Sequence, residues 1–209
     1  FVLPSNKEDL IKVFEISKEY KQEVNVIGSG SNLLVSDGGV RGIIICIKSC
    51  LNGIDVEDNK IYAECGVMLG KLVKYSIKNN LKGLENLIGV PGTLGGALIM
   101  NAGAWGGEIS NCLESVELID PDTNEVITVA KSEIDFSYRS SSFKNGSILL
   151  SALFNMDYSD KQIIEDNSKV AQFGRKDTQP LNYRSAGSVF KNPSKEQPAG
   201  MLIDQAGLK

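Results

Sequence analysis

Two glycine-rich segments carry the residue types that hold a nucleotide. The first runs Ile27-Gly28-Ser29-Gly30-Ser31-Asn32-Leu33-Leu34-Val35. A short apolar run enters a loop of small polar residues, and a hydrophobic run leaves it. Successive backbone N–H groups in such a loop form an anion-binding concavity. Ser29, Ser31 and Asn32 add hydroxyl and amide donors. The chemistry this suits is a pyrophosphate cradle; the alternative is an ordinary tight turn. Two common phosphate motifs do not fit. The Rossmann fingerprint needs a third glycine where Leu33 stands, and a helix after it. The P-loop needs Gly-Lys-Ser/Thr, which is missing. Leu33-Leu34-Val35 followed by Ser36-Asp37-Gly38-Gly39 predicts instead a short strand and a turn. A phosphate site here belongs to another fold.

The second segment, 83–107, holds eight glycines and one charged residue, Glu85, in 25 positions. Its centre is Pro91-Gly92-Thr93-Leu94-Gly95-Gly96, followed closely by Asn101-Ala102-Gly103-Ala104-Trp105-Gly106-Gly107. Glycine lets backbone approach a flat partner closely. Apolar neighbours suit a planar ring system, with backbone amides at its polar edge. The alternative is glycine-mediated packing in the core. A phosphate cradle and a ring-binding segment in one chain point to a dinucleotide. Bulk at Gly30 or Gly95 is then expected to intrude on the cofactor's volume.

Two further positions offer reaction chemistry. Arg139 lies between Tyr138 and Ser140-Ser141-Ser142. Its fork of donors suits a carboxylate or a phosphate; the alternative is a surface loop arginine. Ser188 sits in Ala186-Gly187-Ser188-Val189-Phe190-Lys191-Asn192-Pro193. The chain has no histidine, so Ser188 is no triad nucleophile. It is either a turn residue or a proton donor to a strongly basic carbanion.

The elements that must position these residues follow from pattern. Ser5-Asn6-Lys7-Glu8 reads as a capping box opening a helix over 6–20. Strands are predicted at 24–27, 43–47, 61–65 and 147–157, with a hairpin of 113–119 and 125–129 around Asp120-Pro121-Asp122. Helices are predicted at 68–80 and 160–176. Hairpin signals without regular βαβ alternation give an α+β class. The domain reading is 1–157, a connector helix over 158–179, and the start of a second domain over 180–209.

Composition narrows the function classes. The chain has 209 residues, 42% hydrophobic and 23% charged, with net charge −4. That balance argues against a nucleic-acid binder. The missing histidine excludes the usual zinc catalytic sites, and no metal is expected. Cys46, Cys50, Cys65 and Cys112 form no Cys-x-x-Cys pair and read as buried free thiols of a reducing compartment. No apolar run reaches the ~18 residues of a membrane span, and no signal-peptide pattern is present. The opening Phe1-Val2-Leu3-Pro4 without an initiator Met reads as part of a longer protein.

Taken in order, the segments resemble the UDP-N-acetylenolpyruvoylglucosamine reductase family. Gly28–Val35 and Pro91–Gly96 alone indicate only the wider superfamily with an oxidase-type FAD-binding domain. Asn101–Gly106, Tyr138-Arg139 and Gly187–Pro193 narrow it to the reductase. The resemblance implies FAD as cofactor, NADPH as reductant and UDP-N-acetylglucosamine enolpyruvate as substrate, in cytoplasmic peptidoglycan precursor synthesis. It implies an FAD domain of two α+β subdomains. It makes Gly28–Leu33, Pro91, Gly92, Thr93, Gly95, Gly96, Asn101, Ala102, Gly103 and Gly107 the cofactor-binding set. By position, Ser188 matches the proton donor and Arg139 the residue that polarises the enolpyruvyl carboxylate. Tyr138, Lys191 and Asn192 fall where the family contacts substrate.

Three departures accompany the resemblance. The family's third catalytic residue, a glutamate, falls beyond Lys209. Arg184 stands where the family usually has proline. The glycine-containing segment that normally begins the family's FAD domain falls before Phe1. Apart from these departures, the stretch between Lys144 and Ile148 leaves no room for an inserted tyrosine loop, which suggests the shorter-loop subtype. Two rivals remain at this point. One is an oxidase of the wider flavin superfamily; the other is a non-catalytic nucleotide-binding module.

Overall fold

The computed structural model describes residues 1–179, 182, 187–194 and 196–208. It divides into two units, 1–172 and 173–209.

The first unit opens with the helix Lys7–Glu19. Its cap is Asn6, whose side chain accepts from the Asp9 amide at 2.7 Å, while Asp9 Oδ2 accepts from the Ser5 amide at 3.1 Å. The predicted capping box is thus shifted by one residue, with Asp9 in the role expected of Glu8. Leu10 and Phe14 bury against the core. The strand Val24–Ile27 pairs in parallel with Ile43–Cys46. That pairing makes 28–42 a crossover loop. Leu33–Val35 is therefore not the predicted strand: it has no ladder partner, and Leu34 is 98% exposed.

The body of the unit is a five-stranded antiparallel sheet. Its order is Ile54–Glu57, Lys60–Glu64, Ile148–Asn155, Leu113–Ile119, Val126–Ala130. Ile148–Asn155 is central, and its side chains are buried on both faces save near its end. The predicted hairpin is present, with Ser115 opposite Ala130 and Ile119 opposite Val126. The helix Leu69–Lys78 buries Leu69, Leu72 and Val73 along one stripe. The short helix Leu94–Ile99 follows Thr93. Leu94 N donates to Val67 O and Gly95 N to Cys65 O, both at 2.8 Å, so its first turn is tied to the chain just beyond the sheet.

The second unit holds the end of the helix Lys161–Thr178 and the helix Ala199–Gln205. Among the described residues no helix is long and apolar enough to cross a membrane, and no group of histidine, cysteine and carboxylate side chains could hold a metal ion.

Candidate cofactor and active site

The two glycine segments meet at Gly28 and Thr93. A Cβ on Gly28 would overlap Thr93 Oγ1 and lie 3.0 Å from its Cβ and Cγ2. A Cβ on Gly92 would lie 3.1 Å from Ser31 Oγ. Cys46 Sγ donates to Gly28 O at 3.2 Å, fixing the loop to the end of the neighbouring strand. Gly30 has φ +71, with nothing within 4 Å of its Cβ position. Ser29, Ser31, Asn32 and Leu33 are exposed, and Leu33 N donates back to Gly30 O at 3.2 Å. The loop thus presents its small side chains outward while its base packs on Thr93.

Thr93 and Asn101 lie at opposite ends of the helix Leu94–Ile99, and each is 1% exposed. Thr93 Oγ1 and Asn101 Oδ1 have no hydrogen-bond partner among the described residues. Buried polar atoms are nearly always paired in native proteins. A hydroxyl that can donate and an amide oxygen that can only accept therefore remain for a ligand with polar edges of both kinds. FAD has such edges on its pyrophosphate and ring, so these residues fit it. Gly95 has a different role from the one expected. A Cβ there would lie 3.2 Å from Cys65 Cβ and O, so its direction is the core rather than the cofactor's volume. Gly96 is more open: a Cβ there would lie 3.8 Å from Thr93 Oγ1.

Beyond Asn101 the chain forms a tight hairpin, Gly103–Ala104 against Gly107–Glu108. Trp105 (φ 52) and Gly106 (φ 84) form its turn, both in the left-handed region that such hairpins require. Ala102 is buried and anchors the base, its carbonyl accepting from Ile109 N at 2.9 Å. A Cβ on Gly107 would lie 3.0 Å from Asn86 Nδ2, so the hairpin packs flat on that side chain. Pro91 stays exposed, and the next carbonyl, Gly92 O, accepts from Leu69 N at 2.9 Å.

Arg139 is brought to this segment by a second hairpin. Phe136–Ser137 pairs with Ser140–Ser141, leaving Tyr138 and Arg139 as the turn. Arg139 has φ 56, and its guanidinium lies 5.5 Å from the Tyr138 ring centre. Arg139 NH1 donates to Gly103 O at 3.1 Å. Ser141 Oγ donates to Ile99 O at 2.8 Å, and Asn101 Nδ2 donates to Ser137 O at 3.2 Å. Three bonds thus dock the arginine turn on residues 99–103. Sequence reading missed Glu108 and Ser141; nothing in their spacing marked them, although Glu108 directly follows the glycine pair.

In the second unit Gly187 has φ +78 and Ser188 is exposed. Lys191 is exposed too, and Asn192 Oδ1 accepts from Ala199 N at 3.0 Å. Arg184 lies outside the described residues.

The FAD binding domain family matches residues 1–129, and the UDP-N-acetylenolpyruvoylglucosamine reductase C-terminal domain family matches residues 179–209. The UDP-N-acetylenolpyruvoylglucosamine reductase of Clostridium tetani is 44% identical over 210 residues, spanning 100% of this chain and 67% of its own length. The chain belongs to this reductase family. The reductase of Clostridioides difficile is 40% identical, covering 100% of this chain and 68% of its own. The crystal structure of the Thermus caldophilus enzyme (MurB) superimposes with a TM-score of 0.83 at 32% identity, over 99% of this chain and 73% of that one. The chain thus spans about two thirds of the reductases it matches. As a family member it is an FAD-dependent oxidoreductase of peptidoglycan precursor synthesis.

Proposed function

We propose that the chain holds FAD along the junction of Gly28–Leu33 with 91–107. Its reaction is the NADPH-dependent reduction of UDP-N-acetylglucosamine enolpyruvate to UDP-N-acetylmuramate. The observation that carries this reading is the docking of Arg139 on Gly103 O, beside the orphaned Asn101 Oδ1. A fixed guanidinium next to a ring-binding segment is what a carboxylate-bearing hydride acceptor needs.

FAD held by Gly28–Leu33 and 91–107 would supply the redox chemistry, the transfer of hydride between NADPH and the enolpyruvyl double bond. The residues do the rest. Arg139 keeps one donor on Gly103 O and has others for the substrate carboxylate. Charge grows on that carboxylate as hydride adds at the neighbouring double bond, and a preset guanidinium meets it without reorganisation. Tyr138 backs the guanidinium with its ring face. Ser188 Oγ gives its proton to the carbanionic carbon, completing the saturated product. Lys191 and Asn192 contact the nucleotide sugar, with Gly187 supplying the turn before Ser188. Residues 1–157 form the FAD domain, 158–179 a connector, and 180–209 the start of the substrate domain; the two family matches support that division. The cytoplasm, where NADPH and nucleotide sugars are held, is the site of action.

The test is anaerobic rapid mixing of the flavin-loaded protein. NADPH should bleach the visible flavin band, and the enolpyruvyl nucleotide should restore it. Restoration by oxygen, with none by the enolpyruvyl nucleotide, would refute the reading.

A further inference from the structure

Glu108 has no part in the chemistry described above, yet it stands at the junction of the two hairpins. Its Oε2 accepts from Asn101 Nδ2 at 2.8 Å. The same amide nitrogen donates its second hydrogen to Ser137 O, two residues before Arg139. Both hydrogens are therefore committed, one to a side chain on the glycine hairpin and one to the backbone of the arginine turn. Asn101 is buried and has φ 38, so its backbone is held in the left-handed region at the end of the helix Leu94–Ile99. Gly103 keeps Glu108 close: a Cβ there would lie 3.0 Å from Glu108 Cγ. Gly103 is also the residue whose carbonyl takes Arg139. Carboxylate, amide and guanidinium thus converge on one short stretch of backbone.

We propose that Glu108, acting through Asn101, is a positioning residue that sets the height of the Arg139 turn over the Gly103 hairpin. The carboxylate orients the amide so that its nitrogen faces both Glu108 and Ser137. Without that acceptor the amide keeps Ser137 O as the single partner of its nitrogen and is no longer held at the angle that both acceptors fix, so its grip on the turn loosens. The turn then depends on the Ser141 bond to Ile99 and on Arg139 itself. An arginine occupied in holding its own turn is a poorer clamp for substrate. A charge is not needed for this role, only an acceptor of the right length. Glutamine in place of Glu108 therefore serves, and alanine does not.

This inference rests on the function proposed above, and its test separates the two. Glu108→Ala, Glu108→Gln and Ser141→Ala are prepared beside the unaltered protein. The first readout needs no cofactor: limited trypsin digestion of the apoprotein, followed as the rate of cleavage after Arg139 relative to other sites. Glu108→Ala should be cut there several-fold faster, Glu108→Gln at the normal rate, and Ser141→Ala faster. The second readout is anaerobic rapid mixing of the loaded protein. Glu108→Ala should keep the rate of flavin reduction by NADPH and lose about tenfold or more in reoxidation by the enolpyruvyl nucleotide, the scale expected of a small misplacement remote from the reaction. Glu108→Gln should recover to within about twofold. Normal cleavage and reoxidation in Glu108→Ala would overturn the inference, as would equal loss in the glutamine and alanine variants. Equal slowing of both half-reactions would also overturn it, showing a general structural role. If the unaltered protein is not reoxidised by the enolpyruvyl nucleotide, the proposed function fails, and the trypsin result still decides whether Glu108 holds the turn.

Discussion

Thr93 closes over Gly28 so tightly that no side chain fits between them: a Cβ on Gly28 would meet all three outer atoms of the threonine within 3.0 Å. Rotating Thr93 only exchanges one of these atoms for another. The crossover loop and the second glycine segment are therefore locked at this point, and the anion-binding face proposed for the loop depends on it.

Gly28→Ala should accordingly cost the protein both stability and flavin. Overpacking of this kind is worth about 1–3 kcal/mol. Gly30→Ala makes a sharp contrast. Its Cβ would face open space, and its cost is the left-handed φ +71, roughly 1–2 kcal/mol. If the cofactor lies against Gly30, the alanine should reduce flavin absorbance per protein after desalting by more than that strain explains. Equal flavin content in Gly30→Ala and the unaltered protein would remove Gly30 from the site. Gly95→Val is a poor probe, because the added bulk meets Cys65.

How much of this was legible in the sequence differs from residue to residue. Helix and strand positions followed from apolar spacing, because burial of Leu69, Leu72 and Val73 or of the 148–155 strand leaves a periodic trace. Leu33–Val35 misled for the same reason: an apolar run predicts a strand only when a neighbour supplies a ladder, and the pairing of 24–27 with 43–46 passes it by. The glycine windows announced close approach but not its partner. Gly28 meets Thr93, whereas Gly95 meets the core, and no spacing rule separates the two. The Arg139 turn was visible as chemistry, while its docking on Gly103 was not. That contact joins positions 36 residues apart through backbone carbonyls, which carry no sequence signature.

Acid should expose the Glu117 link between the first helix and the sheet. Burial alone would raise this carboxyl, but hydrogen bonds from Lys7 and Ser151 outweigh it and hold the group below its usual range. Lys7 Nζ lies 2.8 Å from Glu117 Oε1, and Ser151 Oγ donates to Oε2 at 2.9 Å. A folded-state value below the unfolded ~4.3 contributes stability that is complete above that value and is lost as pH falls through the folded one. Denaturant midpoints measured through this acidic range should fall less steeply for Glu117→Gln than for the unaltered protein. At neutral pH Lys7→Ala should cost about 1 kcal/mol or less.

The cysteines should be inert in the folded protein to the extent that burial suppresses their thiolates. Burial pushes Cys65 far up, and it raises Cys112 to about 11, with Glu85 adding to the effect. Cys50 is raised by burial as well. Alkylation follows the thiolate, so iodoacetamide at about pH 8 should leave Cys65 and Cys112 unmodified. Unfolding in denaturant should make all four cysteines react. Peptide mass spectrometry before and after denaturation checks both. Rapid native labelling of Cys65 would mean that the first turn of the helix Leu94–Ile99, bonded to Cys65 O, opens readily.

Arg139 and Ser188 should fail in distinguishable ways if each has the role proposed. Arg139→Lys keeps the positive charge but gives up the planar fork that lets one group hold Gly103 O and a carboxylate together. It should weaken substrate binding and slow reoxidation of reduced flavin by about 10²–10³-fold, the usual cost of a lost transition-state donor. Ser188→Ala removes a proton source and leaves the carboxylate clamp in place. It should keep substrate affinity near normal and slow the same half-reaction by about 10²–10⁴-fold. Ser188 lies outside the glycine segments, so Ser188→Ala should keep flavin content and the rate of reduction by NADPH close to the unaltered values; Arg139→Lys disturbs the contact with Gly103 O, so its rates are taken per bound flavin. Rapid-mixing rates over a range of enolpyruvyl nucleotide concentrations separate affinity from the limiting rate in each variant. Slowing of both halves by Ser188→Ala would make that serine a structural residue of its turn after Gly187, and the proton would then come from another donor.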